Sequence, residues 1–278
     1  MNKPNSRRKA ADEDVSRMGA SVHGLVFALF TVQWGIACAA EASGHPRWFA
    51  SGSADALLLL LGAAATVATL CRRLPAQNVL LASAIILLIS AGVHGFGSMT
   101  GMPFGPYLYM REAGPELFRI LPWAVPFLWL IALLNGRGVA RLIVRPWRKT
   151  RNYGFWVIGI AVLLVVIFDL GLEPFAARVR RYWVWGPSHA GLYWYGAPWL
   201  NFVGWALTAL LILAFATPSL INKKPVKQPV DFGPLWIWLM MQTFLIIPTL
   251  VHQLWASAAL ILVSAIVTAI FAIRGALW

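Results

Sequence analysis

Eight stretches of this chain are apolar over the length needed to cross a lipid bilayer, and most of the segments between them are short. They run at about 19–40, 54–71, 77–97, 119–135, 153–172, 198–217, 233–250 and 254–273. Roughly 17 to 25 apolar residues suffice for one helical crossing. The pattern therefore predicts an all-α fold, a polytopic transmembrane helical bundle. One membrane domain is expected over 19–278, preceded by a polar tail at 1–18. The fourth stretch is short and holds Pro122 and Pro126, which blurs its start. The last two are parted only by a few residues around His252 and Gln253. They read as a tight helical hairpin, or as one broken element, which would make seven spans. Composition agrees: 59% of residues are hydrophobic and 12% charged, against about a quarter charged in soluble domains. Lipid must cover the apolar surface.

The formal net charge of +13 raises the question of nucleic acid. The basic residues form no continuous stripe and fall in short segments between apolar runs, a distribution that fits lipid headgroups and topology signals. No nucleic acid partner is expected. With the N-terminus inside, 17 of the 23 basic residues fall on the cytoplasmic side and 6 on the other. The positive-inside bias predicts a multi-pass protein of the cell (inner) membrane with a cytoplasmic N-terminus. The tail carries Lys3, Arg7, Arg8 and Lys9 with no small-residue cleavage site after the first apolar run, so it reads as an uncleaved tail. Arg178, Arg180 and Arg181 break the bias. They would either neutralise nearby carboxylates or meet lipid phosphates.

The carboxylates run the other way. Glu41, Asp55, Glu112, Glu116, Asp169 and Glu173 all map to outer span ends or outer loops. Two outer segments, 97–118 and 169–205 (the loop itself expected at 173–197), mix Gly and Pro with Tyr, Trp and carboxylates. A fixed irregular backbone lined by aromatic faces is how a membrane protein shapes a pocket. Interfacial Trp and Tyr are also expected as a simple aromatic belt, but that does not account for the acids. Asp169 ends a long apolar run, and Glu173 lies one helical turn later on the same face. Two buried carboxyl groups at that spacing repel, so one should hold its proton at neutral pH. Glu41 is a further candidate for the same cluster, whereas Glu112 and Glu116 read as solvated. His94, beside Gly92, Gly95 and Gly97, is either an interhelical hydrogen bonder or a catalyst.

Other chemistries are disfavoured. Cys38 and Cys71 fall near opposite ends of adjacent spans and form no CxxC or Cys/His pattern. The five histidines show no HxxxH or HxxH pairing, which removes membrane di-iron desaturases and hydroxylases. Neither a phosphate-cradling glycine loop nor a Gly-x-Ser-x-Gly elbow occurs. Metal-free acid–base chemistry or binding remains, with no cofactor.

The stretch Thr100-Gly101-Met102-Pro103-Phe104-Gly105-Pro106-Tyr107-Leu108-Tyr109 resembles the signature of a family of membrane carotenoid-biosynthesis proteins. Its characterised members are carotenoid 1,2-hydratases of the bisanhydrobacterioruberin and gamma-carotene types. The segments Asp169…Glu173-Pro174, Tyr182-Trp183-x-Trp185 and Tyr195-Gly196-x-Pro198…Asn201-Phe202-x-Gly204-Trp205 look like its second block. The chain departs from the pattern at His94, where a glutamate is usual, and at Met110. The resemblance implies acid-catalysed addition of water to the terminal C1–C2 double bond of an acyclic carotenoid end group. A lipid or isoprenoid carrier, or an end-group cyclase or isomerase, is the alternative. Under this reading Asp169 or Glu173 is the acid, and Asn201 or His94 holds the water. Tyr107, Tyr109, Trp183, Trp185 and Tyr195 supply cation-stabilising faces. Thr100, Phe104, Trp205 and Glu41 complete the substrate site. Membrane lipid and an isoprenoid substrate are the implied partners, with other carotenoid-pathway enzymes as further ones.

Overall fold

The computed structural model describes residues 4–43, 52–187, 191–221 and 229–278, and the side chains of 4–18, 20, 52 and 53 are not among those described. Lys3, His45, Arg47, His189, Lys223, Lys224 and Lys227 therefore lie outside the described residues, as do most side chains of the polar tail. Eight long helices follow one another: α1 (Pro4–Ala42), α2 (Gly52–Cys71), α3 (Ala76–Thr100), α4 (Ala124–Ile143), α5 (Tyr153–Pro174), α6 (Trp199–Ala216), α7 (Gly233–Val251) and α8 (Trp255–Ala276). All eight contain a membrane-length apolar segment, that of α1 beginning at Ser21. The hairpin at His252 and Gln253 is real: α7 stops at Val251 and α8 starts at Trp255.

The fourth span starts later than the hydropathy pattern suggests. Leu121 and Pro122 form a short strand, and the helix begins only at Ala124. It then runs on through Arg137 and Arg141, which the pattern assigned to a loop. The reason is position. α4 packs against α2, α3, α5, α7 and α8 and is buried along nearly all its length, so protein rather than lipid surrounds its polar groups. Its mean hydropathy of 1.3 compares with 2.7 for the α5 segment. Polar residues of a span face the bundle interior. Asn135 gives its amide to Thr66 Oγ1 at 2.8 Å, and buried Arg137 donates to the carbonyl of Leu220 at 3.2 Å.

Six very short strands form three antiparallel ribbons at the end of the bundle where α3 and α5 finish. They are β1 (Tyr107–Tyr109), β2 (Glu116–Leu117), β3 (Leu121–Pro122), β4 (Trp183–Trp185), β5 (Tyr193–Trp194) and β6 (Ala197–Pro198), paired β1–β4, β2–β3 and β5–β6. Glu173 still belongs to α5, and the chain continues in a π-helical turn over Phe175–Val179 before leaving the helix. The second outer loop thus starts later than residue 173.

Candidate functional site

Two segments distant in sequence meet edge to edge. β1 pairs with β4 so that Tyr107 stands opposite Trp185 and Tyr109 opposite Trp183. Side chains alternate across a strand. Tyr-Leu-Tyr and Trp-Val-Trp therefore send four rings to one face, while Leu108 and Val184 are exposed on the other. The ribbon is tied at both ends, Met110 N–H to Tyr182 O at 2.9 Å and Gly186 N–H to Pro106 O at 2.8 Å. The turn before β1 needs its glycines. Gly101 closes α3 at φ 77° and Gly105 sits at φ 101°, backbone that residues with a Cβ rarely adopt.

Phe104 is wedged between helices α3 and α6. A Cβ on Gly97 would lie 2.8 Å from its Cδ2, and one on Gly204 2.6 Å from its Cδ1. These two glycines let both helices close on the ring, which stacks on His94 at 4.4 Å. His94 is fully committed. Trp129 gives its indole N–H to His94 Nε2 at 2.7 Å. An indole can only donate, so Nε2 is bare and Nδ1 carries the proton toward the Tyr109 hydroxyl at 3.3 Å. Tyr107 gives its own proton to the carbonyl of residue 94 at 3.1 Å, and the two tyrosine rings meet edge to face at 5.2 Å. Burial pushes the Tyr107 phenol up to about 12 and that of Tyr109 well above its ordinary value. Both stay protonated donors. His94 is thus a neutral, positioned ring, and of the two readings, interhelical hydrogen bonder or catalyst, its contacts fit the first.

Below this aromatic ring lie the two acids, 0% and 1% exposed for Asp169 and Glu173 respectively. Glu173 Oε1 accepts the indole N–H of Trp183 at 2.8 Å and of Trp185 at 2.5 Å. Asp169 Oδ2 accepts the Asn201 amide at 2.7 Å, and its Oδ1 is buried without a partner. A cavity of about 20 Å³ is bounded by Glu173, Asn201, His94 and Tyr109 together with Trp183 and Trp205. One water needs about 10–15 Å³ by this kind of measure.

Three expected members lie elsewhere. Thr100 is exposed, bonding Phe96 O and accepting from Met102 N, so it shapes the turn. The Tyr195 hydroxyl accepts from Ser257 N at 3.4 Å, which docks its loop on α8, and its carbonyl accepts from Arg178 Nε at 2.7 Å. Glu41 joins a separate network in which Arg180, its side chain 9% exposed, pairs with both Glu41 and Asp55 (2.9 Å to Asp55 Oδ2), and Tyr182 donates to Asp55. Of the two readings of the basic cluster, carboxylate neutralisation holds for Arg180. Burial, then the adjoining Asp55 carboxylate, raise the Tyr182 phenol. Asp55, Arg180, Tyr182 and Trp129 were not singled out as site residues from the sequence. The outlying arginines and the carboxylate at the start of α2 were the only signals available; nothing marks Trp129 among the many tryptophans.

Comparison with known proteins supplies a context. The chain is 30% identical over 137 residues to the bisanhydrobacterioruberin hydratase of Haloarcula japonica, a match spanning 49% of this chain and 44% of that relative. The matched region is thus less than half the length of the curated relative. No solved structure matches the chain. The pattern of the carotenoid biosynthesis protein family matches residues 54–273, which take in both acids, the aromatic ribbon and seven of the eight helices. This multi-pass membrane protein belongs to the carotenoid biosynthesis protein family.

Proposed function

We propose that the protein adds water across the terminal trisubstituted double bond of an acyclic carotenoid end group, with the Asp169–Glu173 pair as the proton source. The observation that carries this reading is a pair of wholly buried carboxyl groups one turn apart, beside a one-water cavity walled by aromatic rings. The pair holds one proton because two adjacent buried carboxylates cannot both stay ionised. Both indole bonds to Glu173 end on Oε1, and the residue lines the cavity.

The reaction balances without a redox step. The carboxyl proton goes to the less substituted alkene carbon, and the cation develops on the tertiary carbon. The faces of Trp183, Trp185 and Tyr107 stabilise that cation electrostatically. Water, oriented by Asn201 and the Tyr109 hydroxyl, attacks the tertiary carbon, and its surplus proton returns to the carboxylate pair. The product is a tertiary alcohol. A cavity of one-water size that Glu173, Asn201 and Tyr109 border favours hydration over cyclisation, which must exclude water. The positive-inside distribution supports a cytoplasmic N-terminus, with this site toward the opposite face of the cell membrane. The polyene would lie among the helices, with only its end group at the acids.

The test is expression in cells that make lycopene-type carotenoids, with products followed by mass. A tertiary alcohol heavier by one water is expected, and Asp169→Asn combined with Glu173→Gln should abolish it. Continued hydration by that double variant would remove the acids from the mechanism. A product of unchanged mass with a new ring would reassign the same acid to cyclisation.

A further inference from the structure

The one-water cavity is too small for the hydrocarbon it is meant to act on. A second cavity, of about 60 Å³, lies directly beside it. Val125, Leu128 and Trp183 line both. The second cavity is about three times the size of the first. Its walls are apolar, Leu58, Phe168, Leu172, Phe175, Phe244 and Leu245 among them. The two polar residues that reach it, Asp55 and Tyr182, are bonded to each other, and Asp55 is also paired with Arg180.

We infer that this apolar cavity between α2, α4, α5 and α7 receives the branched isoprenoid terminus, and that Trp183 is the partition between the hydrocarbon and the water. The inference rests on the hydration reading for what happens next, but the binding site stands on its own geometry. Trp183 suits the task. Its indole N–H is fixed on Glu173 at 2.8 Å, while its ring borders both compartments. A terminus seated in the second cavity therefore meets the acid only past that ring, and bulk in the cavity sets which end groups fit. On this inference a flat acyclic terminus enters the cavity and a cyclised, methyl-crowded ring is excluded.

The experiment uses the full chain in nanodiscs loaded with lycopene, or with beta-carotene as the ring-ended probe, and reads polyene retained per chain after washing as well as product mass. Ala56→Phe fills the second cavity from α2. It should cut lycopene retention at least tenfold, whereas Glu173→Gln should retain lycopene as the parent protein does and make no alcohol. Leu245→Ala enlarges the cavity and should raise beta-carotene retention severalfold, a gain that misfolding cannot produce. Retention unchanged in Ala56→Phe, or a Leu245→Ala variant with the parent's preference, overturns the inference. If the parent protein makes no alcohol yet both variants shift retention as stated, the cavity assignment holds and the hydration reading falls.

Discussion

Removing Arg180 should unfold the outer end of the bundle, and the size of the effect follows from its partners. The guanidinium lies 2.9 Å from Asp55 Oδ2, is paired with Glu41 as well, and stands 5.4 Å from the centroid of the Phe175 ring. At an effective dielectric of about 20, a pair at 2.9 Å is worth about 6 kcal/mol of gross attraction by Coulomb's law. Desolvation offsets most of that gain, so the net worth of the intact network is small. The asymmetry lies in breaking it. Arg180→Met leaves two carboxyl groups facing each other and Tyr182 without their cation, and stranding one partner of a buried pair costs about 3–5 kcal/mol. Equilibrium unfolding in mixed micelles, followed by circular dichroism, should show a loss of this size. Combining Arg180→Met with Glu41→Gln and Asp55→Asn removes the stranded charges and should recover at least about 1 kcal/mol of it. A single-variant loss below about 1 kcal/mol, the range of exposed ion pairs, would refute the reasoning. So would a triple variant no more stable than Arg180→Met.

Gly204→Ala should destabilise the protein by about 1–3 kcal/mol through overpacking, because the new Cβ would lie 2.6 Å from Phe104 and 3.0 Å from the Pro103 carbonyl. Gly97→Ala, on the other side of the same ring, should behave alike in the same unfolding assay. Trp183→Phe and Trp185→Phe each remove one indole donor from Glu173. At about 1.4 kcal/mol per lost bond each should slow product formation about tenfold, with the rate at saturating polyene as the readout. Thr100→Ala should change stability by less than about 0.5 kcal/mol and leave product formation within twofold, since the side chain is exposed and bonds only its own turn.

Much of the architecture is written in local spacing. The eight apolar runs determine eight helices, because a bilayer accepts only segments whose backbone groups are satisfied internally. Asp169 and Glu173 share a face because four residues make about one helical turn, and the alternation in Tyr107-Leu108-Tyr109 and Trp183-Val184-Trp185 already sorts rings to one side of a strand. Each of these is a relation between residues a few positions apart, and periodicity reports such relations directly.

The partners across the bundle came from the tertiary structure alone. Hydropathy could not place the start of α4, because burial by five neighbouring helices replaces lipid around it and relaxes the demand for apolar residues. Arg180 looked the same whether it met lipid phosphate or carboxylate until α1 and α2 brought Glu41 and Asp55 to it. His94, Tyr195 and Thr100 all sit in or beside the two segments rich in Gly, Pro and aromatic residues. Their different fates depend on which helix end each faces: Trp129 for His94, Ser257 for Tyr195, and only its own turn for Thr100. Chain order sets what each element is. The packing of distant elements, driven by the need to pair every buried polar group, decides what each side chain touches.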